Sequence, residues 1–175
     1  MYIEELATKP IFYIDMDGVV AWLEKFLADY FRKSLKEIEY DSTPYWMEIL
    51  KKMNMEDFFS NLEMEPHALE LIQYFLDRNL TICFLTRPAR APHTEASIVG
   101  KKRWLIKHGL SNIPVIFEKK KEKYAMSGKI PNVLLDDQAD NIAAWNLAGG
   151  IGILYKDKWF HEIIEILDNL LNKSI

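Results

Sequence analysis

Five short runs along the chain are apolar almost throughout: Ile11 to Ile14, Thr81 to Leu85, Val115 to Phe117, Val133 to Leu135 and Ile151 to Leu154. All are rich in β-branched or aromatic residues, which marks them as strands. None alternates with polar residues, as strands do when both faces of their sheet are covered, and that pattern favours a parallel sheet. Between them lie helical patterns at about Val20 to Arg32, Pro66 to Arg78, Thr94 to His108, Ala139 to Ala148 and Trp159 to Leu171. In the last of these, Phe160, Ile163, Ile164, Leu167, Leu170 and Leu171 recur at three- and four-residue steps, one stripe to be buried on the sheet. The alternation predicts an α/β fold.

One stretch breaks the rhythm. Val20 to Met64 holds helical pieces and many aromatic residues but no strand. It reads as an inserted helical cap, residues 20–64, on a core made of residues 1–19 and 65–175, with no internal repeat. A chain of 175 residues suits one compact unit of this kind without staples.

Composition narrows the classes. At 49% hydrophobic and 27% charged the chain is an ordinary globular sequence, and its formal charge of −4 supplies no basic field for polyanions. Cys83 is the one cysteine and sits inside an apolar run, so no intramolecular disulfide exists and a reducing, cytoplasmic setting is expected. Met1 to Pro10 lacks the basic-then-apolar pattern of a secretion signal, and no apolar run reaches the roughly 18 residues of a membrane span.

The candidate chemistry stands where strands end, the place where open parallel sheets hold their ligands. The first strand runs into Asp15-Met16-Asp17-Gly18, two carboxylates two residues apart with a glycine to allow a sharp turn. Such a pair suits a hard cation like magnesium, which takes oxygen ligands and keeps several waters. An EF-hand calcium loop is excluded, since its glycine stands sixth and this one is fourth. An Asp-capped turn is the plainer account. The second strand ends in Leu85-Thr86-Arg87-Pro88, a hydroxyl and free backbone N–H groups suited to phosphate oxygens, or simply turn chemistry. The fourth ends in Asp136-Asp137, which repel unless a cation or proton is shared, or of which one is buried and one caps the next helix. The helix after Pro92 carries Lys101, Lys102 and Arg103, any of which can reach back toward a phosphate. The lysine-rich run Glu118 to Lys123 reads as a solvated loop, with a further phosphate contact as the lesser account.

The ordered set Asp15-x-Asp17-Gly18, Thr86, a downstream lysine and Asp136-Asp137 resembles the four motifs of the haloacid dehalogenase (HAD) superfamily, over nearly the whole chain. More narrowly, Asp-Met-Asp-Gly-Val, the aromatic insert, Leu-Thr-Arg-Pro, Lys101 three before Trp104, and Leu-Leu-Asp-Asp resemble the 5'(3')-deoxyribonucleotidases and their bacterial and phage relatives. Arg87 departs from the Ser or Ala of animal relatives, and Ala21-Trp22 from their Asp-Phe, which bears on substrate choice.

The resemblance implies a Rossmann-like core with the first strand central, flanked by the second and fourth. It implies Asp15 as nucleophile and Asp17 as acid and base. Mg2+ is then held by Asp15, the Asp17 main chain and Asp137, with Asp136 in support. Thr86, Arg87 and Lys101 are expected to bind phosphate. Trp22, Phe26 and Trp46 are candidates to stack on a base or sugar, although aromatics at helical spacing also simply fill a core. The expected partner is a small nucleoside monophosphate, with no stable nucleic-acid complex and no membrane; a homodimer is allowed by a sequence that does not set the oligomeric state. The competing expectations are a HAD phosphatase for a sugar phosphate or a nucleic-acid 3'-phosphate end, and a non-catalytic nucleotide-binding protein.

Overall fold

The computed structural model describes residues 9–40 and 42–173. The stretch read for a secretion signal therefore lies, up to residue 8, outside the described residues. Strand β1 (Phe12–Ile14) is followed by helices α1 (Leu23–Phe31), α2 (Leu35–Tyr40), α3 (Thr43–Lys52), α4 (Met55–Ser60) and α5 (Ala68–Asp77). Then come β2 (Ile82–Thr86), α6 (Thr94–Lys107), β3 (Val115–Phe117), the short β4 (Met126–Ser127) and β5 (Ile130–Pro131), β6 (Val133–Asp136), α7 (Ala139–Leu147), β7 (Ile151–Leu154) and α8 (Phe160–Lys173).

The sheet has five strands in the order β3-β2-β1-β6-β7, all parallel, so β1 is central and flanked by β2 and β6. This is the α/β, HAD-like arrangement that the resemblance implied. The pleat sends alternate residues to opposite faces. Phe12, Ile14, Ile82, Phe84, Val133 and Leu135 join the larger core cluster, while Tyr13, Cys83, Leu85 and Leu134 join a smaller one. Both faces being covered explains the unbroken apolar runs. Helix α8 buries Phe160, Ile163 and Leu167 against the larger cluster, with Ile164, Leu170 and Leu171 packed partly onto it.

The hairpin β4–β5 was not expected from the sequence; its antiparallel strands are two residues each, too short to leave a pattern. Among the described residues, no helix is long and apolar enough to cross a membrane.

The helices between β1 and α5 are tied back at two places. At the neck, Trp22 N donates to Glu63 O at 2.8 Å and Glu65 N to Val20 O at 3.0 Å. Beyond it, α4 lies directly on α6. A Cβ at Gly100 would stand 2.5 Å from Glu56 O and 3.0 Å from Met55 O, so only glycine lets the two backbones approach this closely. Trp104 Nε1 donates to Leu62 O at 2.9 Å and fastens the end of α4 to the same helix. Helix α4 itself starts on the Asn54 side chain, which accepts from Glu56 N at 2.8 Å and Asp57 N at 3.2 Å, a strong N-cap for a helix of six residues.

Candidate active site

The polar ends of β1, β2 and β6 meet at one crevice because those three strands are adjacent and parallel. Asp15 follows β1 directly, and its N–H still bonds Leu135 O at 2.9 Å, so the sheet fixes the backbone of the first carboxylate. Its Oδ1 accepts from Met16 N at 2.8 Å and from Lys121 Nζ at 2.9 Å. Its Oδ2 has no hydrogen-bond partner among the described residues. Gly18 has φ +74°, and a Cβ there would stand 2.8 Å from Asp137 Cγ and Oδ2, so the turn after Asp17 leaves room for Asp137 and nothing more.

The adjacent carboxylates at the end of β6 divide by their partners. Asp136, fully buried, accepts from Gln138 N at 2.9 Å, from Asn141 Nδ2 at 3.0 Å on both oxygens, and from Lys121 at 2.6 Å. Its acceptor capacity is taken up by the protein. Asp137 accepts from Gln138 Nε2 at 2.5 Å, and the nearest ammonium, Lys156, is 3.9 Å away. Oxygens of Asp15, Asp136 and Asp137 lie within 4.8 Å of one another.

The electrostatics follow from that crowding. Burial, then Asp15, Glu24 and Asp136, hold the Asp137 carboxyl well above the usual carboxylate range. Burial and Asp15 raise Asp136, against the pull of Lys121 and Asn141. Burial also raises Asp17, with Lys101 opposing and Asp15 adding to the shift. For Lys121 burial acts to lower the pKa, but Asp15 and Asp136 outweigh it and the ammonium is held more firmly protonated than usual. An all-oxygen set of buried carboxylates, one without a cation at bonding distance, fits a hard divalent ion such as Mg2+. Asp15 and Asp137 are the members with free capacity to hold it.

The remaining expected residues fall into two groups. Lys101 is 1% exposed and spends its three donors on Asp17 Oδ2 and Thr86 Oγ1, each at 2.7 Å, and Arg87 O at 3.1 Å. Lys101 thus ties Thr86 at the end of β2 to Asp17 beyond the end of β1. The other Asp17 oxygen, Oδ1, is buried with no partner. Lys102 and Arg103 are directed elsewhere, the first over the Phe117 ring and the second to Glu56. The lysine that sequence reasoning missed is Lys121. Within a run read as solvated it is 2% exposed, in the 3-10 turn Lys121–Tyr124 just past β3, and it is the cation on Asp15.

A cavity of about 460 Å³ covers the site, lined by Asp15, Asp17, Trp46, Phe59, Lys121 and Asp137 with Arg87 and Arg90 at the rim. Trp46 thus lines the cavity that holds the carboxylates. Trp22 instead lines an adjoining cavity of about 420 Å³ behind Gly18. Phe26 lines neither: its ring packs edge-on to Phe58 at 4.9 Å and on Tyr30 at 5.9 Å, within the helical insert.

No family model matches the chain, and no curated protein does. Among solved structures, a hydrolase from Streptococcus pneumoniae TIGR4 superposes with a TM-score of 0.54 at 15% identity, covering 93% of this chain and all of its own. A protein assigned as a beta-phosphoglucomutase, from Thermotoga maritima, superposes at 0.47 and 13% identity over 89% of this chain and 98% of its own. The first likeness shows the fold; the second is too distant to add to it.

Proposed function

We propose that the protein is a Mg2+-dependent phosphomonoesterase of the HAD type that works through an aspartyl phosphate on Asp15, and that its substrate is a nucleoside monophosphate. One observation carries the reaction class. A carboxylate with one free oxygen, a second carboxylate raised toward neutrality two residues on, a buried lysine and a cation-seeking Asp137 converge on one cavity. The nucleotide assignment is supported by the resemblance in sequence and by Trp46 and Phe59, which offer aromatic faces beside the carboxylates. Residues 1–19 and 65–175 would form the catalytic core and residues 20–64 the cap.

In the first step Asp15 Oδ2 attacks phosphorus and the bond from phosphorus to the ester oxygen breaks. Asp17, whose raised pKa keeps a proton available, delivers it to that oxygen, and the alcohol leaves. In the second step Asp17 takes a proton from water, the water oxygen attacks the same phosphorus, and the Asp15 carboxylate departs from inorganic phosphate. Lys121 neutralises Asp15 Oδ1 throughout, and its third donor is available to a phosphoryl oxygen. Lys101, itself bonded to Thr86, holds Asp17 in place. Asp15, the Asp17 main-chain carbonyl and Asp137 would hold Mg2+, which supplies charge neutralisation between the carboxylate and the approaching phosphate.

The test is phosphate release from deoxy- and ribonucleoside monophosphates, sugar phosphates and p-nitrophenyl phosphate, with Mg2+ or EDTA, by wild type and Asp15→Asn. The expected result is Mg2+-dependent turnover, greatest on deoxynucleotides and absent in the variant. Turnover confined to sugar phosphates would discard the nucleotide assignment. Nucleotide binding without turnover of any ester would discard the enzyme.

A further inference from the structure

The cavity behind Gly18 is separate from the one over Asp15, but the two share a wall. Glu24 and Asp137 line both. Behind that wall the cavity is acidic, with Glu39, Glu65 and Asp157 joining those two and Lys156 and Lys158 as its cations. Most of these charges are matched. Asp157 accepts from His67 N at 3.0 Å and lies 2.8 Å from His67 Nδ1, and Glu39 lies 3.4 Å from Lys158.

Glu65 and Glu24 are not matched. Glu65 is 6% exposed, its backbone is fixed at the neck, and its carboxyl group makes no hydrogen bond or ion pair among the described residues. Glu24, on α1, also lacks an ion pair there. A buried carboxylate left unmatched is costly, several kcal/mol in general, and such groups persist where a ligand uses them. Burial, then Glu24, Asp157 and Asp137, push Glu65 up to about 8, so the surroundings favour a positive charge entering beside it.

A hydrated divalent cation meets that demand. Mg2+ sheds its water reluctantly, so an ion on Asp15 and Asp137 keeps waters whose protons need acceptors. Acceptors in this outer layer fix the inner ligands and commonly govern affinity. Asp136 is taken up by Lys121, Asn141 and Gln138, whereas in the cavity behind Gly18 the carboxyl groups of Glu65 and Glu24 have no such partners among the described residues. We propose that this cavity is an outer-sphere cation site, in which Glu65 and Glu24 accept hydrogen bonds from the water ligands of the divalent ion and set its affinity. The proposal rests on the reading of Asp15 and Asp137 as cation ligands. Lys156, in the same cavity and 3.9 Å from Asp137, opposes binding.

The test is binding of Mg2+ by calorimetry and of Mn2+ by electron paramagnetic resonance, on the whole protein without substrate. Wild type is compared with Glu65→Gln, Glu24→Gln and Lys156→Gln. Each glutamine variant is expected to bind about tenfold more weakly, and Lys156→Gln to bind more tightly than wild type. A general loosening of the fold cannot tighten binding, so the lysine variant separates electrostatics from damage. Affinities within twofold of wild type for both glutamine variants would overturn the outer-sphere site while leaving the metal reading intact. Failure of wild type to bind either ion, or undiminished binding by Asp137→Asn, would overturn the metal reading itself and the proposal with it.

Discussion

Replacing Lys121 by methionine keeps most of the side-chain volume in a position that is 2% exposed and removes only the ammonium. That ammonium lies 2.9 Å from Asp15 Oδ1 and 2.6 Å from Asp136 Oδ2. At an effective dielectric near 20 each contact is worth about 6 kcal/mol, part of which offsets the cost of burying the ammonium. Removing it leaves two buried carboxylates uncompensated, for which a loss of about 3–5 kcal/mol is the ordinary result. The loss must also depend on pH. Asp136 already has a raised folded pKa, and without Lys121 it rises further. A carboxyl whose folded pKa exceeds its unfolded one penalises folding most at high pH, and the penalty fades as the pH falls through the folded value toward the ordinary carboxylate range. Urea unfolding in EDTA at pH 8 and pH 5.5 reads both quantities. The variant should be weakened by several kcal/mol at pH 8 and by clearly less at pH 5.5. A deficit below about 1 kcal/mol at pH 8, or one equal at both pH values, would refute the assignment of Lys121 as the neutralising cation.

Other substitutions probe the remaining contacts. Gly100→Ala gains about 1 kcal/mol of helix propensity, but its methyl meets Glu56 O at 2.5 Å, so a net loss of about 1–3 kcal/mol in chemical denaturation is expected. Glu65 has its folded pKa raised to about 8, so wild type loses stability as pH climbs from the unfolded carboxylate value toward 8. Glu65→Gln should remove its share of that slope and be the more stable protein at pH 8, by up to a few kcal/mol in thermal or urea unfolding. Trp46→Ala should raise KM for the preferred substrate, while Phe26→Ala should lower stability by about 2 kcal/mol and leave KM near wild type.

The sheet and the three strand ends were legible because parallel strands buried on both faces leave unbroken apolar runs, and a carboxylate directly after such a run stands out. Asp15, Asp17 and Asp137, singled out in this way, line one cavity in the structure. Lys121 was not, because its neighbours Lys119, Lys120 and Lys123 are exposed and nothing in the run's composition says which lysine turns inward. The available signal was its place after β3, opposite an Asp15–Asp136 pair that needed a cation. The aromatic insert misled for a different reason. Its rings mostly satisfy one another, as Phe58 does with Phe26 and Phe59, so helical spacing could not single out Trp46 from Phe26. Glu65 stands before a proline and read as a boundary, and its isolation depends on contacts that only the folded neck creates.

The backbone contact between α4 and α6 fixes one wall of the cavity over Asp15. Phe59 rides on α4, and α4 cannot leave α6 without parting the main-chain atoms that meet at Gly100 and the Trp104 hydrogen bond. Trp46 rides on α3, which is seated through the buried Ile49 and Leu50, and its ring meets Phe58 at 5.6 Å and Phe59 at 5.8 Å. Such ring contacts are worth about 0.5–1.5 kcal/mol each. The wall of the cavity bearing Phe59 is thus set by main-chain contacts, and the wall bearing Trp46 by side-chain packing, so a change of volume at Gly100 is felt on one side of the cavity and a change of ring shape at Phe58 on the other.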